Sequence, residues 1–169
     1  MARVLVALGS NLGDRLSNLQ EAVKALELTV NVEVVGGVYE TAPMYVTDQP
    51  AFYNTALVGT TDLGPWPLLK AMKEIEAKLG RQSRPRNGPR EIDVDLIAYG
   101  RAHVRFRPGG ERLEVPHPRA RERRFVLAPL ADVAPYFEII GQGRILDLLA
   151  ATETQSESVL LTGHAVLPI

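Results

Sequence analysis

The chain has no cysteine among its 169 residues, which excludes disulfide bonds, thiolate metal ligands and a cysteine nucleophile. No run approaches the roughly 18 apolar residues that a membrane-spanning helix needs, and the N-terminus lacks the layout of a signal peptide. The net charge is only −1, so no overall field favours nucleic acid or an anionic membrane. These absences predict a soluble, cytoplasmic protein with no nucleic-acid, membrane or obligate protein partner.

Hydrophobic periodicity predicts two amphipathic helices placed between four strands. Apolar residues recur at helical spacing over 14–28, which Asp14 is placed to cap, and over 65–79, which Pro65 opens. β-rich runs occupy 3–8, 30–39, 52–58 and 92–99, and the paired glycines Gly36 and Gly37 are a candidate bulge in the second run. The order β-α-β-β-α-β predicts an α+β fold, a ferredoxin-like antiparallel sheet with its helices on one face.

A C-terminal extension follows this pattern. It is predicted to contain an extended segment at 113–118, helical turns within 121–130, a short helix at 145–151, a poorly ordered linker at 152–158 and an extra strand within 159–169. The chain is 46% apolar, enough for a substantial core, and shows no internal repeat or domain boundary. It is therefore predicted to form one domain, 1–169.

Two acidic residues, Asp93 and Asp95, interrupt the apolar run of the last predicted strand. Strand alternation puts both carboxylates on one face and Ile92 and Val94 on the other. On an exposed edge strand such a pair would simply be solvated, but the apolar neighbours favour a buried strand. Adjacent carboxylates resist joint ionisation without a cation, and magnesium prefers oxygen ligands. The pair therefore predicts a metal site.

Arginine is concentrated in two segments of the chain. One contains Arg81, Arg84, Arg86 and Arg90, and the other contains Arg119, Arg121, Arg123 and Arg124. The first segment also contains prolines and a glycine, so a plain flexible connection is the alternative interpretation. A guanidinium group matches phosphate oxygens bidentately, however, and clustered positive charges repel one another until an anion binds. The first segment is therefore predicted to close as a lid over a polyphosphate.

Other candidate residues are weaker when they are taken alone. The amide of Asn54, between Phe52 and Tyr53, could pair with a heterocycle edge, although a hydrogen-bonded core asparagine is the better interpretation. His117 lies between two prolines and is a candidate nucleotide contact. The turn at 9–11 lacks the lysine and spacing of a phosphate-binding loop, which favours a purely structural turn.

Several segments in this order resemble the 6-hydroxymethyl-7,8-dihydropterin pyrophosphokinase family of folate biosynthesis. The most specific is the motif Gly88-Pro89-Arg90-x-x-Asp93-x-Asp95, and the others are 9–12, 39–43, 48–54 and 115–125. Together they extend over about residues 4 to 130. Many relatives have a tryptophan where this chain has Asn87, and Pro118 occupies a position where a relative can have a tyrosine, so lid packing and one ATP contact are expected to differ.

The resemblance implies transfer of diphosphate from ATP to the hydroxymethyl group of the pterin, with attack at the β-phosphorus and release of AMP. Asp93 and Asp95 would hold two magnesium ions, and either acid could accept the hydroxyl proton. The pterin residues would be Thr41, Met44, Phe52, Asn54 and Phe125. The ATP residues would be Glu76, Arg81, Arg90, His117 and Arg123. The catalytic residues would be Arg81, Arg90, Asp93 and Asp95.

Two other functions are weighed against this one. A polymerase-palm or cyclase-like nucleotidyl transferase also pairs acids on such a sheet, but it attacks the α-phosphorus and releases pyrophosphate. An RNA-binding module would use the sheet face and the arginine segments, and its affinity would depend on salt and not on the acids. The near-neutral net charge and the acid pair argue against RNA binding.

Overall fold

The structure, a computed structural model, describes residues 1–43, 48–82, 88–106 and 113–166. In these ranges the strands are β1 (Ala2–Ser10), β2 (Asn31–Val35), β3 (Tyr39–Thr41), β4 (Phe52–Thr61), β5 (Asp93–Tyr99), β6 (Val104–Phe106), β7 (Leu113–Val115), β8 (Glu138–Ile139), β9 (Gly143–Arg144) and β10 (Val159–Leu161). The helices are α1 (Arg15–Leu26), α2 (Pro65–Lys78), α3 (Arg124–Val133) and α4 (Ile145–Ala150), with short 3-10 helices at Ala120–Glu122 and Glu153–Ser158.

Within the described ranges, six strands form one antiparallel sheet. Its order is β10-β3-β4-β1-β5, and β2 also pairs with β4. The central strand β1 pairs with β4 along its whole length and with β5 on its other side. An extra residue in β5 shifts the register opposite Leu5 and Val6. The predicted α+β class, with an antiparallel sheet, is confirmed.

The two faces of the sheet bury separate apolar clusters. Val4, Val6 and Leu8 of β1 face α1 and α2, whereas Leu5 and Ala7 belong to the cluster that contains residues of α3. Strand alternation explains this division, because successive side chains point to opposite faces. The two predicted helices share one face as expected, and the C-terminal extension adds α3 to the other.

Both predicted helices begin where their sequence signals indicate, although α1 ends at Leu26, two residues before the predicted end at 28. The carboxylate of Asp14 accepts the N–H of Ser17 at 3.1 Å, which satisfies one of the unpaired donors of the first turn of α1. Pro65 occupies the start of α2, where its missing N–H costs nothing, and Gly80 follows the helix with φ +88°.

The single predicted strand at 30–39 is wrong, because the chain forms two strands, β2 and β3, separated at 36–38. At Gly36 a Cβ would lie 2.8 Å from the carbonyl oxygen of Pro129 in α3, and Gly37 donates its N–H to Asp132 at 3.0 Å. Gly36 still donates its N–H to the carbonyl of Ala56 in β4 at 2.8 Å, so the chain bulges along β4, with residues 36–38 opposite 55–56, while it packs against α3. Only glycine permits this close approach.

The predicted linker at 152–158 is also wrong, since Glu153–Ser158 forms a 3-10 helix. The extra strand is confirmed over Val159–Leu161, where β10 pairs with β3. The extension therefore packs against the sheet edge that contains Thr41. In the part of the chain that is described, no helix combines the length and apolar character needed to cross a membrane.

Candidate active site

The register of β1 brings two predicted functional residues together. Gly9 is opposite Asn54 on β4 and opposite Asp93 on β5. A Cβ at Gly9 would lie 2.7 Å from Oδ1 of Asn54, well inside contact distance, so only glycine leaves the asparagine side chain its position. Strand pairing alone therefore places an amide and a carboxylate on either side of one glycine.

An open cleft of about 600 Å³ lies at this end of the sheet. Among its lining residues are seven of the predicted site residues: Thr41, Phe52, Asn54, Arg90, Asp93, Arg123 and Phe125. Five further lining residues lie in segments that carry the family resemblance but were not assigned to the site individually: Gly9, Ala42, Pro43, Gln49 and Gly88. Met44 and the lid positions Arg84, Arg86 and Asn87 lie outside the described residues.

One end of the cleft combines amide and aromatic groups. Nδ2 of Asn54 donates to Oγ1 of Thr41 at 2.6 Å, and both residues are buried. Phe52 is opposite Thr41 in the β3–β4 ladder, and Phe125 lines the cleft from α3. A flat heteroaromatic molecule needs this combination, because an amide can hydrogen-bond to its edge while rings pack on its face.

The other end is electrostatic and is centred on Asp93. Its Oδ1 accepts Nη1 of Arg81 at 3.1 Å and Nη1 of Arg90 at 3.3 Å, and its side chain is 26% exposed. Burial opposes ionisation of this carboxyl, but Arg90 and Arg81 outweigh it and lower its pKa. Asp95 hydrogen-bonds to Asp93, and its pKa is raised well above the usual range by burial and by the charge of Asp93. The two carboxyl groups therefore resist joint ionisation.

Glu76 supports this end from α2. It is only 3% exposed, and its Oε2 accepts both Nη1 of Arg81 and the N–H of Val94, the latter at 2.8 Å. Burial, followed by the charge of Asp93, raises the pKa of Glu76. The carboxylate thus orients the Arg81 guanidinium that also bonds Asp93. The predicted ATP contact of Glu76 stays a prediction.

His117 has a defined hydrogen-bonding role in the segment before α3. Its ring Nδ1 accepts the backbone N–H of Arg119 at 3.2 Å, and its backbone N–H donates to the carbonyl of Ile97 at 2.8 Å. Burial and, after it, the nearby Arg123 lower the pKa of His117 to about 4. At neutral pH the ring is therefore uncharged, with its proton on Nε2. The Arg123 guanidinium lies 5.7 Å from the centre of the Phe125 ring, within cation-π range.

The whole sequence supplies the deciding comparison. Residues 5–135 match the model of the family described as 7,8-dihydro-6-hydroxymethylpterin-pyrophosphokinase (HPPK). The chain belongs to this HPPK family. All the predicted site residues lie inside the matched range, and the prediction of a pyrophosphokinase is confirmed at the level of the family.

Two bacterial relatives carry the name 2-amino-4-hydroxy-6-hydroxymethyldihydropteridine pyrophosphokinase. The protein of Methylorubrum extorquens is 44% identical over 144 residues, which are 84% of this chain and 89% of the relative. The protein of Bacillus subtilis is 43% identical over 135 residues, which are 79% of this chain and 78% of the relative. Both comparisons agree with membership of the HPPK family.

Other relatives are longer than this chain. A mitochondrial folate synthesis bifunctional protein of Pisum sativum is 49% identical over 131 residues, which are 77% of this chain and 25% of the relative. This chain thus spans about a quarter of that protein's length. A solved HPPK-DHPS structure of Plasmodium falciparum superposes with a TM-score of 0.76 over 92% of this chain and 44% of the other, at 15% identity, which supports the fold.

Asn11, in the turn after β1, connects three segments beside the cleft. It is 2% exposed, and its Nδ2 donates to Oε1 of Gln49 at 3.0 Å and to the carbonyl of Pro50 at 2.9 Å. Its Oδ1 accepts the N–H of Arg90 at 2.7 Å. The amide therefore ties the segments before β4 and β5 to the end of β1. These bonds agree with the structural interpretation of the turn at 9–11.

The donor set for a metal is small in the described part of the chain. No group of three or more histidine, aspartate or glutamate side chains is arranged there to hold an ion. Asp93 and Asp95 supply carboxylate oxygens from one strand beside the cleft. Magnesium is commonly bound by one or two carboxylates and completes its shell with water and substrate phosphates. The pair fits this mode of binding.

Proposed function

We propose that this chain transfers diphosphate from ATP to the hydroxymethyl group of 6-hydroxymethyl-7,8-dihydropterin and releases AMP, in tetrahydrofolate biosynthesis. The observation that carries the proposal is the pairing of Gly9 with both Asn54 and Asp93, which opens one cleft to a heterocycle-binding amide and to a charged cluster. Family membership is consistent with this chemistry.

The amide and aromatic end is the pterin subsite in this proposal. Asn54, held by Thr41, would hydrogen-bond to the pterin edge while Phe52 and Phe125 pack against its faces. Met44 is retained as a fifth pterin residue on the basis of the resemblance. A pterin held in this way would direct its hydroxymethyl group toward Asp93, because the two subsites share one cleft.

The charged end is the triphosphate subsite. Arg81, Arg90 and Arg123 would neutralise phosphate oxygens, and the neutral His117 would donate a hydrogen bond from Nε2. Glu76 would act on ATP through the arginine that it holds. In the reaction, the hydroxymethyl oxygen bonds to the β-phosphorus. The bond between the β-phosphorus and the α,β-bridging oxygen breaks, and AMP leaves with that oxygen and the electron pair. Such transfer depends mainly on positioning and charge neutralisation.

Asp93 and Asp95 are the proposed magnesium ligands, for two ions. When bound, magnesium would supply positive charge to the triphosphate and would relieve the repulsion between the two carboxylates. Arg81 and Arg90 partly do this for Asp93 in the structure. The proton of the attacking hydroxyl group would be taken up by one of the two carboxylates or by water.

The proposal also covers the fold type, the domain organisation, the partners and the compartment of the protein. We describe β1 to β5 with α1 and α2 as a ferredoxin-like unit, counting β2 and β3 as one interrupted strand, and the sheet order β3-β4-β1-β5 supports this description. Residues 1–169 would act as one pyrophosphokinase domain. Its partners would be the two small-molecule substrates, and its compartment would be the cytoplasm.

The test is incubation of the protein with ATP, magnesium and 6-hydroxymethyl-7,8-dihydropterin, followed by mass analysis of the products. The expected products are AMP and the diphosphorylated pterin in equal amounts. Release of pyrophosphate with a nucleotidylated pterin would instead support a nucleotidyl transferase. Salt-dependent RNA binding that survives loss of Asp93 and Asp95 would support the RNA-binding alternative.

A further inference from the structure

Two glutamines of the C-terminal extension hold the backbone of the segment that contains His117 and Arg123. Gln142, in the turn between β8 and β9, donates from Nε2 to the carbonyl of His117 at 2.8 Å. Its Oε1 accepts the N–H of Arg121 at 3.1 Å. One side chain thus satisfies a backbone acceptor and a backbone donor of the same segment.

Gln155, in the 3-10 helix before β10, likewise bonds one backbone acceptor and one backbone donor, at residues 122 and 124 of the same segment. Its Nε2 donates to the carbonyl of Glu122 at 2.8 Å, and its Oε1 accepts the N–H of Arg124 at 3.1 Å. These two groups flank Arg123 on both sides. The N–H of Arg124 belongs to the first turn of α3, where a helix has no internal partner for it.

The amide of glutamine suits this task because it offers a donor and an acceptor on one planar group. Each amide uses one of each, so the 117–124 segment is fixed at four backbone atoms. The two glutamines rest on packed elements, since Ile139 and Ile145 beside Gln142 are fully buried and β10 after Gln155 pairs with β3. The two glutamines are themselves half-buried, and they are held in place by elements anchored in the core.

The segment carries four arginines in sequence positions 119–124, and their mutual repulsion opposes one compact arrangement. It also contains Arg123, which lines the cleft, and His117, which is a proposed ATP contact. Arg119 pairs with Glu122 at 3.0 Å and Arg124 with Glu153 at 3.5 Å, and the two glutamine amides hold the backbone without adding a further negative charge.

We propose that Gln142 and Gln155 are positioning residues that set His117 and Arg123 for the triphosphate. The inference rests on the proposed function for the identity of the ligand. Both glutamines follow residue 135, where the match to the family model ends. They act through the backbone of the segment, and Gln155 also sets the start of α3, from which Phe125 reaches the cleft.

The central test compares Gln142→Met and Gln155→Met, which keep the approximate side-chain shape and remove both hydrogen bonds. Each lost bond is expected to cost roughly two- to tenfold in kcat/KM, from its usual net contribution. Gln142→Met is expected to raise KM for ATP, because it releases His117. Gln155→Met is expected to lower kcat and weaken pterin binding, because it releases Arg123 and the start of α3.

Two control variants separate positioning from general loss of stability. Gln20→Met makes the same change at an exposed position on α1. Thr152→Val removes the hydroxyl bond to the carbonyl of Leu149, a hydrogen bond internal to the extension. The conservative variant Gln155→Glu keeps the acceptor for Arg124 and loses the donor to Glu122, so it should recover part of the loss.

The inference is overturned if both methionine variants match Thr152→Val in every kinetic parameter while the wild-type protein is active. An activity-independent measurement separates this result from failure of the proposed function. Hydrogen exchange of the Arg121 amide should accelerate severalfold only in Gln142→Met, and that of the Arg124 amide only in Gln155→Met. Unchanged exchange at both amides would show that the two glutamines do not hold the backbone of residues 117–124, even if wild-type activity is absent.

Discussion

The two ends of the cleft are built in different ways. The amide and aromatic end is set mainly by strand register, since Thr41, Phe52 and Asn54 occupy fixed positions in the β3–β4 ladder. The charged end depends on side-chain bonds between distant segments, such as those of Glu76 and Asn11. Backbone pairing tolerates substitution of single side chains, whereas a network of charges is lost when one member is removed.

The largest loss of activity is expected from a change in the acid pair of the charged end. Asp95→Asn is expected to reduce turnover about a thousandfold, because loss of a metal-held charge costs several kcal/mol of transition-state stabilisation. The fold should persist, since the amide of asparagine can still donate a hydrogen bond to Asp93, as the protonated Asp95 does. Single-turnover rates at saturating magnesium and a thermal melt measure the two effects. Asp62→Asn, at an exposed site, is the control, and near-wild-type turnover of Asp95→Asn would refute the metal assignment.

Arg90→Ala tests whether the charged end acts on the transition state. The rate is expected to fall roughly a hundredfold while the pterin Kd changes little, because the guanidinium faces Asp93 and not Asn54. Rapid-quench kinetics and a pterin titration give the two numbers. Arg105→Ala, which removes an arginine whose side chain is 76% exposed, should change neither. Equal losses in rate and pterin affinity would contradict separate subsites.

Gly9→Ala tests the amide and aromatic end of the cleft. The new methyl group meets Oδ1 of Asn54 and must displace it, so pterin affinity is expected to fall about tenfold, the equivalent of about one lost hydrogen bond, while ATP affinity is retained. Calorimetric titration with each ligand measures this difference. The same change at Gly64, where the added methyl group would lie 3.7 Å from its nearest neighbour, is the control. Loss of ATP affinity alone would reverse the assignment of the two ends.

The smallest expected effect is a pH dependence of stability from His117, whose pKa in the folded protein is about 4. Between about pH 6.5 and 4 the unfolded chain binds this proton and the folded chain does not. The contribution of the neutral ring is therefore complete above pH 6.5 and declines as the pH falls through this window. Denaturant unfolding at several pH values should show a shallower decline for His117→Asn than for the wild type. The same change at the exposed His103 supplies the control, and identical slopes in all three proteins would contradict the assignment.

Most of the elements and most of the lining residues were predictable from the sequence. Helices α1 and α2 follow from apolar spacing and end signals, and the acid pair stands out because charges interrupt an apolar strand. The paired glycines indicated where β2 and β3 separate, but the cause was not predictable, because it depends on α3 packing against Gly36. The ordering of 153–158 was missed for a similar reason, since a polar segment becomes ordered only through partners such as Arg124.

The sequence by itself determined the chemistry of this protein: its family, its acid pair and its arginine-rich segments. Those features are local, because neighbouring residues define alternation, charge and motif. Only the tertiary structure decided which groups meet. It places Gly9 between Asn54 and Asp93, and it bonds the Gln155 amide to the backbone groups before and after Arg123. These contacts join residues that are far apart in the chain, and they depend on strand register and packing, which no single segment specifies.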